Sequence, residues 1–356
     1  MILACSVLFL LFLGPICSFR APIVLGNQVL RDNGFLELVG YRLAILTNPT
    51  GVFQDSMELI VDSLTKDPRV QVVAVLSPEH GFRGDQQAET GDPLFYIDKP
   101  TGLPVFSAYN MTTLQLSKMM NELNIEAVLV DMQDVGVRLY TFIWTMFDVM
   151  EAVTMAQIAA HRDIRIVITD RPNPLGGELV DGPLVDMSCC RSGYGKLPIP
   201  YLHGMTIGEL GLLFGDALNI AKESLLVVPM KNWYRSMSWT MTKEMHIYPP
   251  WIPPSPNLPT VTSAHVYGAT VFLEATTAAE GRGTTTPFLL FGAPFLDAED
   301  FSLSLNDAFG CAATTASGFR AAYFEPTFSK YNGKSQCLCI VCSQCIVSVF
   351  NVSVGC

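Results

Sequence analysis

The chain has 356 residues, of which 49% are apolar, so it is long enough to bury one large core or two smaller ones. Its formal net charge is −11 at pH 7 and it contains no Lys/Arg-rich run, which argues against nucleic acid or an anionic membrane surface as the main partner. A small anionic ligand is not excluded, because it needs only a few local arginines.

The first 21 residues predict a signal peptide. A largely apolar run covers residues 2–13 and is followed by Gly14, Pro15 and small residues up to Ser18. This run has the length of a signal-peptide core and is short for a membrane span, which needs about 20 residues. We therefore expect a secreted protein with no membrane span after cleavage. Because no Lys or Arg precedes the run, an uncleaved anchor is the alternative.

Four short apolar runs, each ending in a cluster of polar residues, predict parallel β-strands. They lie at residues 41–46, 70–76, 127–130 and 165–168. Stretches with helical spacing lie between them, at residues 56–66, 112–124 and 144–161. Strands that alternate with helices indicate βαβ units, and hence an α/β fold with helices on both faces of a parallel sheet.

The polar clusters that follow these strands are predicted to meet at one edge of the sheet. Because parallel strands all end at the same edge, a ligand would bind in the crevice outside it. The residues brought to this edge are Asn48, Glu79, His80, Asp131, Asp134, Asp170, Arg171 and Asn173. The alternative is that they are ordinary turn residues, since Asn, Asp, Pro and Gly are common in turns.

A second domain is predicted after one further helix and strand. Thr206 and Glu209 have the spacing of a capping box and predict a helix from Thr206 to about Lys222, followed by a strand at Leu225–Val228. We therefore place the first domain at residues 22–229 and a smaller, irregular α+β domain at residues 230–335. Residues 336–356 are rich in cysteine and suit disulfides or zinc, but we interpret them as an atypical terminus with no designed role.

Several common catalytic motifs are missing from the sequence. The first strand–helix turn reads TNPTGV rather than GxGxxG, and the chain has no P-loop, GxSxG or HExxH motif. His80 with Asp131 and Asp134 offers metal-binding side chains, but their spacing matches no known type of metal site. We therefore predict no cofactor and no metal.

The carboxylates at the predicted sheet edge favour glycoside hydrolysis. This reaction needs a protonated carboxyl that donates to the leaving oxygen, and a second group that acts as nucleophile or base, or stabilises positive charge. Glu79 is the predicted acid, because neighbouring Asp131 and Asp134 would raise its pKa by like-charge repulsion. The aromatic side chains that offer a sugar their ring faces are Tyr140, Trp144 and Trp251. Core packing is the alternative for each ring.

Six longer motifs occur in order along the chain. They are SPEHGFRG (77–84), DMQDVGVRLYT (131–141), DRPNPLGG (170–177), HGMTIGEL (203–210), PPSPNLPT (253–260) and EGRGTTTPF (280–288). Together they closely resemble the family of exo-acting β-N-acetylmuramidases formerly known as a domain of unknown function. The resemblance extends from about residue 23 to about residue 334.

The resemblance implies a Rossmann-like first domain, a smaller second domain and a cleft between them. It also implies removal of N-acetylmuramic acid from the non-reducing end of peptidoglycan fragments, with the glutamate of the EHG motif, Glu79, as the catalytic residue. Muramic acid carries a lactyl carboxylate, for which a guanidinium is the natural bidentate partner. The arginines that lie in family-like motifs are Arg83, Arg138, Arg171 and Arg282.

Other motif residues complete the predicted site. His203 precedes a helix, Asn257 is held in a loop by Pro256 and Pro259, and Glu280 offers another carboxylate. The predicted catalytic residues are Glu79, Asp131 and Asp134. The predicted substrate-binding residues are Asn48, His80, Arg83, Arg138, Tyr140, Arg171, Asn173, His203, Asn257, Glu280 and Arg282.

Two other functions stay open at this point. The family continues with further strands and helices where this chain becomes cysteine-rich, so the second domain is expected to be truncated after about residue 336. A module that binds cell-wall sugars without cleaving them is therefore one alternative. A metal-dependent hydrolase of another bond, such as an ester or a phosphoester, is the other.

Overall fold

The computed structural model describes residues 21–87, 93–239, 247–309, 318–334 and 336–341, the last range by its backbone alone. All but the last residue of the predicted signal peptide, 1–21, lie outside the described residues. Within the described ranges, no helix has the length and apolar character that a membrane crossing requires.

Seven strands form the larger sheet, and each of the four strands predicted first is present to within one residue at either end. The strands are β1 (Arg42–Thr47), β2 (Gln71–Ser77), β3 (Phe95–Ile97), β4 (Pro104–Ser107), β5 (Ala127–Asp131), β6 (Arg165–Thr169) and β7 (Leu225–Val228). Their order in space is β3-β4-β2-β1-β5-β6-β7. Every neighbouring pair is parallel except β3 with β4, which confirms the predicted α/β fold.

The helices of the described residues cover both faces of this sheet or follow it in the chain. They are α1 (Gly26–Asp32), α2 (Ile60–Lys66), α3 (Thr113–Glu122), α4 (Phe142–Ala160), α5 (Ile207–Ala217), α6 (Val261–Thr270) and α7 (Ala298–Ala308). Side chains of β1 alternate between two cores, with Ala44 and Leu46 on one face and Leu43 and Ile45 on the other. A strand buried on both faces is uniformly apolar, which is why these strands read as continuous apolar runs.

Two predicted helices are shorter than their sequence patterns suggested. The helix predicted at 56–66 begins at Ile60, because the chain turns first, with Met57 in a left-handed conformation. The capping box of Thr206 and Glu209 is confirmed, and it starts α5. That helix ends at Ala217 rather than near residue 222, where a separate 3₁₀ helix lies at Lys222–Ser224.

A second, antiparallel sheet follows in the C-terminal part of the chain. It consists of β8 (Leu290–Ala293), β9 (Phe319–Phe324) and β10 (Gln336–Val341), in the order β8-β10-β9. The expectation that residues from 336 onward have no designed role is therefore wrong for β10, which pairs with a strand on each side. Residues 342–356, the rest of that segment, lie outside the described residues.

Candidate active site

A cavity of about 380 Å³ lies at the carboxyl end of the larger sheet, between the loop after β2 and elements of the C-terminal part. A 3₁₀ helix at Val271–Ala275, which follows α6, contributes one wall. The residues that line the cavity are Glu79, His80, Leu139, Tyr140, Thr141, Tyr194, Ser255, Leu258, Tyr267, Val271, Phe272, Glu274, Ala275, Arg282 and Phe288. Four of them belong to the predicted site: Glu79, His80, Tyr140 and Arg282.

Glu79 lies in the turn that follows β2 and reaches this cavity. The next two residues, His80 and Gly81, both have positive φ angles, 73° and 79°, so the chain reverses sharply after the glutamate. His80 also lines the cavity, and its Nδ1 lies 3.2 Å from the carbonyl oxygen of Gln86. The turn therefore places the side chains of both Glu79 and His80 at the wall of the cavity.

The carboxyl of Glu79 has an unusual electrostatic environment. Thr141 donates a hydrogen bond from its Oγ1 to Oε2 of Glu79 at 2.7 Å. Burial raises the pKa of Glu79 above its ordinary value, and this effect outweighs the hydrogen bond from Thr141 and the positive charge of Arg282, which both act to lower it. Glu79 therefore keeps its proton closer to neutral pH than an exposed glutamate does.

The predicted cause of this raised pKa was wrong. We expected repulsion from Asp131 and Asp134, but burial is the main cause, and neither aspartate is among the groups that shift the pKa of Glu79. Asp131 is fully buried, and its Oδ1 accepts hydrogen bonds from Arg171 at 2.7 Å and from Thr169 at 2.8 Å. It is therefore engaged with its own counter-charge beneath the sheet edge rather than exposed to the cavity.

Asp134 is also occupied by contacts inside the protein. Its Oδ2 accepts hydrogen bonds from the backbone N–H of Gly136 at 2.7 Å and from Nε2 of His203 at 3.1 Å. Because Nδ1 of His203 accepts the N–H of Met205, the ring proton lies on Nε2. The Asp134–His203 pair thus joins two loops, and neither residue lines the cavity.

The four predicted arginines occupy different parts of the molecule. Arg83, in the loop after β2, pairs with Asp98 at 2.7 Å and does not line the cavity. Arg138 donates to backbone carbonyls, and Arg171 pairs with Asp131 and borders a much smaller cavity of about 20 Å³. Among the described residues, Arg282 is the arginine that lines the large cavity.

Arg282 is held in place by the residues on either side of it. Gly281 and Gly283 both have φ angles of +81°, and a Cβ atom at Gly281 would lie 2.3 Å from the carbonyl oxygen of Leu290. Glycine is the residue that adopts a positive φ angle easily and has no Cβ atom, which accounts for the GRG sequence. The guanidinium lies over the ring of Phe288, 5.1 Å from its centroid.

Two glutamates contact this guanidinium, and one of them was missed from sequence. Nη1 of Arg282 lies 2.7 Å from Oε1 of Glu274 and 3.4 Å from Oε1 of Glu280. Glu280 is buried and also pairs with Lys330 at 3.1 Å, whereas Glu274 lines the cavity. Burial raises the pKa of Glu274, and Arg282 opposes this shift. Glu274 was missed because it lies outside the six motifs, the nearest of which begins at Glu280.

Aromatic rings form much of the cavity wall. Tyr140 packs against Phe142 and Tyr267, with ring centroids 4.4 Å and 5.8 Å away. Burial raises the pKa of Tyr140 well above its ordinary value, so its hydroxyl stays protonated. That hydroxyl is buried and has no hydrogen-bond partner among the described residues. Tyr194, which is half exposed, also lines the cavity and was not predicted.

The two predicted tryptophans do not line the cavity, so core packing is the correct interpretation for both. Trp144 is fully buried, and its ring stacks on Phe214 with centroids 5.7 Å apart. Trp251 packs edge-on against Trp239 at 5.1 Å and donates a hydrogen bond to the carbonyl of Leu258.

The three predicted asparagines are buried and fix loops near the sheet edge. The side-chain amide of Asn48 donates to the carbonyl of Pro254 at 3.4 Å, and that of Asn173 donates to the carbonyl of Met205 at 3.1 Å. The amide of Asn257 donates to Oε1 of Gln87 at 3.4 Å. In the parts of the chain that the structure describes, no three His, Cys, Asp or Glu side chains are grouped so that they could hold a metal ion.

Protein-family models match most of the chain. The model for the N-terminal domain of exo-β-N-acetylmuramidase NamZ matches residues 43–262, and the model for its C-terminal domain matches residues 265–340. The chain is 43% identical over 298 residues to a peptidoglycan β-N-acetylmuramidase NamZ from Bacillus subtilis strain 168, an alignment that covers 83% of this chain and 67% of that protein.

Two solved structures from Bacteroides fragilis NCTC 9343 are also similar, and both are described as DUF1343-family proteins. The first has a TM-score of 0.75 and 32% identity, with 91% of this chain and 78% of that chain covered. The second has a TM-score of 0.63 and 30% identity, with 90% and 76% covered. The chain therefore belongs to the exo-β-N-acetylmuramidase NamZ family of glycoside hydrolases.

Proposed function

We propose that this chain releases terminal N-acetylmuramic acid from the non-reducing end of peptidoglycan fragments, with Glu79 as the general acid. The observation that carries the proposal is the position of Glu79, a carboxyl of raised pKa in a cavity of about 380 Å³. Membership of the NamZ family supports the choice of substrate.

The environment of Glu79 suits an acid that gives up its proton during the reaction. Burial favours the protonated form before bond cleavage, when the proton is needed at the glycosidic oxygen. The hydrogen bond from Thr141 stabilises the carboxylate that is left after the proton has moved. Burial and the hydrogen bond from Thr141 act on the pKa of Glu79 in opposite directions. Burial is the larger effect, so the pKa lies above that of a free glutamate, and the hydrogen bond limits the rise.

Arg282 is our candidate for the group that recognises the lactyl carboxylate of muramic acid. Arg83, Arg138 and Arg171 have their partners away from the cavity. Arg282, in contrast, lines the cavity and contacts Glu274 and Glu280 through one nitrogen, Nη1. A guanidinium offers the planar set of donors that a carboxylate accepts in bidentate fashion. Arg282→Gln should therefore raise KM more for a muramic acid glycoside than for the glucosamine glycoside that lacks the lactyl group.

The leader sequence supports a location outside the cell, and we propose that the protein is exported. Its substrate, a cell-wall fragment, is consistent with this location. N-terminal sequencing of the protein from culture medium would test the proposal. A protein that stays with the cells and keeps its first residues would contradict it.

The direct test of function uses the disaccharide in which N-acetylmuramic acid is linked β-1,4 to N-acetylglucosamine. We expect the wild-type chain to release both sugars, and Glu79→Gln to lose at least about 100-fold in kcat/KM with an unchanged melting temperature. Glu58→Gln, at a surface ion pair with Lys66, is the matched control and should keep full activity. Saturable binding of the disaccharide without any cleavage by the wild type would favour a sugar-binding module instead.

A further inference from the structure

Two carboxyl groups reach the same cavity, and they have different partners. Glu79 is bound by the hydroxyl of Thr141 at 2.7 Å, and Glu274 is bound by the guanidinium of Arg282 at 2.7 Å. A hydroxyl can bond to a carboxyl in either protonation state, because it both donates and accepts. A guanidinium only donates, and it favours the ionised carboxylate. Contact with Arg282 therefore favours the ionised form of Glu274 and opposes the effect of its burial, whereas burial favours the protonated form of Glu79 despite the hydrogen bond from Thr141.

Glu274 is also the accessible member of the pair of glutamates on Arg282. Its side chain is 37% exposed, whereas that of Glu280 is 2% exposed. Both carboxylates contact the same nitrogen of the guanidinium, and Glu280 has a second counter-charge in Lys330 at 3.1 Å. Only Glu274 can meet a substrate or a water molecule in the cavity.

The backbone that carries Glu274 is fixed on several sides. Nζ of Lys330 donates hydrogen bonds to the carbonyl of Leu273 at 2.8 Å and to that of Glu274 at 3.1 Å. Phe272 stacks on Tyr201 with ring centroids 5.0 Å apart. This short 3₁₀ helix is therefore held in position before any substrate arrives, as a catalytic carboxylate requires.

We propose that Glu274 is the second catalytic carboxylate of the cavity and acts as the general base that activates water. The inference rests on the proposed glycosidase function. In the reaction, the bond from the anomeric carbon to the leaving oxygen breaks as Glu79 gives its proton to that oxygen. A water oxygen bonds to the anomeric carbon, and Glu274 takes the proton that this water loses. One water is consumed, and the two carboxyl groups then exchange their proton through solvent. The β-glycoside gives the α-anomer of the free sugar.

The two roles have different signatures when the leaving group is changed. A 2,4-dinitrophenyl glycoside of N-acetylmuramic acid needs little protonation to depart, whereas the disaccharide with N-acetylglucosamine needs a proton. Glu79→Gln should therefore lose activity on the disaccharide and keep most of it on the aryl glycoside. Glu274→Gln should lose about 100-fold or more in kcat on both substrates, because water still has to be activated in each case.

Three further measurements test the base role: azide rescue and the Glu280 control separate it from positioning of Arg282, and the product anomer separates it from a nucleophile. Sodium azide should restore cleavage of the aryl glycoside by Glu274→Ala and give the α-glycosyl azide, since the anion needs no base. Glu280→Gln is the matched control, because Glu280 contacts the same guanidinium from a buried position; we expect it to lose less than about tenfold in kcat. Proton NMR of the first product formed by the wild type should show the α-anomer.

The role of Glu274 is overturned if Glu274→Gln keeps more than a tenth of wild-type kcat on the aryl glycoside. It is also overturned if azide gives no rescue, if Glu280→Gln is equally impaired, or if the first product is the β-anomer. A wild type that cleaves neither glycoside overturns the proposed function itself, and with it this role. The two failures are therefore distinguishable.

Discussion

The hydrogen bond between Thr141 and Glu79 gives a quantitative prediction about the pH dependence of activity. Thr141 donates from Oγ1 to the Glu79 carboxyl at 2.7 Å, and this bond acts to lower the pKa of Glu79. Thr141 is the residue before α4, but its side chain does not cap that helix. Thr141→Val should therefore remove the hydrogen bond and leave the helix intact.

The size of the effect follows from the strength of such a bond. A hydrogen bond to an ionised group contributes about 1.5–3 kcal/mol, and 1.36 kcal/mol corresponds to about one pKa unit. Because Glu79 is partly exposed, water replaces some of the lost interaction, and we expect the lower end of this range. The pKa of Glu79 should therefore rise by about one unit in the variant.

The assay is the dependence of kcat/KM on pH with the disaccharide substrate, which reports the pKa values of the free enzyme. A general acid must be protonated to work, so activity falls as pH rises through its pKa. Thr141→Val raises that pKa and should move the alkaline limb of the profile to higher pH. Thr145→Val is the control. The hydroxyl of Thr145 donates to the backbone carbonyl of Thr141 and not to Glu79, so this variant should leave the alkaline limb in place. An alkaline limb that stays in place, or moves to lower pH, would refute the acid role of Glu79.

Three further outcomes are expected. Asp131→Asn leaves the guanidinium of Arg171 buried without its counter-charge, so the free energy of unfolding in urea should fall by about 3–5 kcal/mol; unchanged stability with lost activity would instead place Asp131 in the reaction. Tyr140→Phe removes a buried hydroxyl that has no partner among the described residues, so the melting temperature should hold or rise. Because Tyr140 lines the cavity, kcat/KM should fall. A lower melting temperature would contradict this interpretation. Burial raises the pKa of Asp170 from 3.8 to about 6, so the folded state binds this proton more tightly than the unfolded state does. Stability in urea should therefore fall as pH rises through this interval, and Asp170→Asn should remove that part of the dependence.

The larger sheet was predictable because its determinants are local. Each of the predicted parallel strands is a short apolar run that ends at polar residues, and helical spacing lies between the runs. A strand covered on both faces must be apolar throughout, and a loop at its end must be polar. Those requirements can be read from a window of a few residues.

The site was predicted only in part, because local sequence does not show how deeply a polar side chain is buried. Asp131 and Glu79 both follow apolar strands, so sequence treats them alike. Asp131 ends β5, a central strand that lies between β1 and β6, and its carboxylate is covered and paired with Arg171. Glu79 lies two residues beyond β2 and reaches the cavity. Both strands are interior to the sheet. The difference is that Asp131 is the last residue of its strand and meets the guanidinium of Arg171, whereas Glu79 lies in the turn beyond its strand.

The second carboxylate shows the same limit in the C-terminal part of the chain. Sequence drew attention to Glu280 because it stands in the EGRG motif, but its side chain is buried beside Arg282 and Lys330. Glu274 has no motif of its own and is exposed to the cavity. Likewise, the segment from Gln336 has an unusual composition, yet its first six residues complete a sheet between β8 and β9.

By itself, the sequence determined the alternation of strands and helices, the turn that carries Glu79 and the glycines that flank Arg282, because each depends on neighbouring residues. Only the tertiary structure decided which charged groups share the cavity and which neutralise each other in the interior. Burial and pairing are set by contacts between segments far apart in the chain, and these contacts control the pKa values of Glu79 and Glu274.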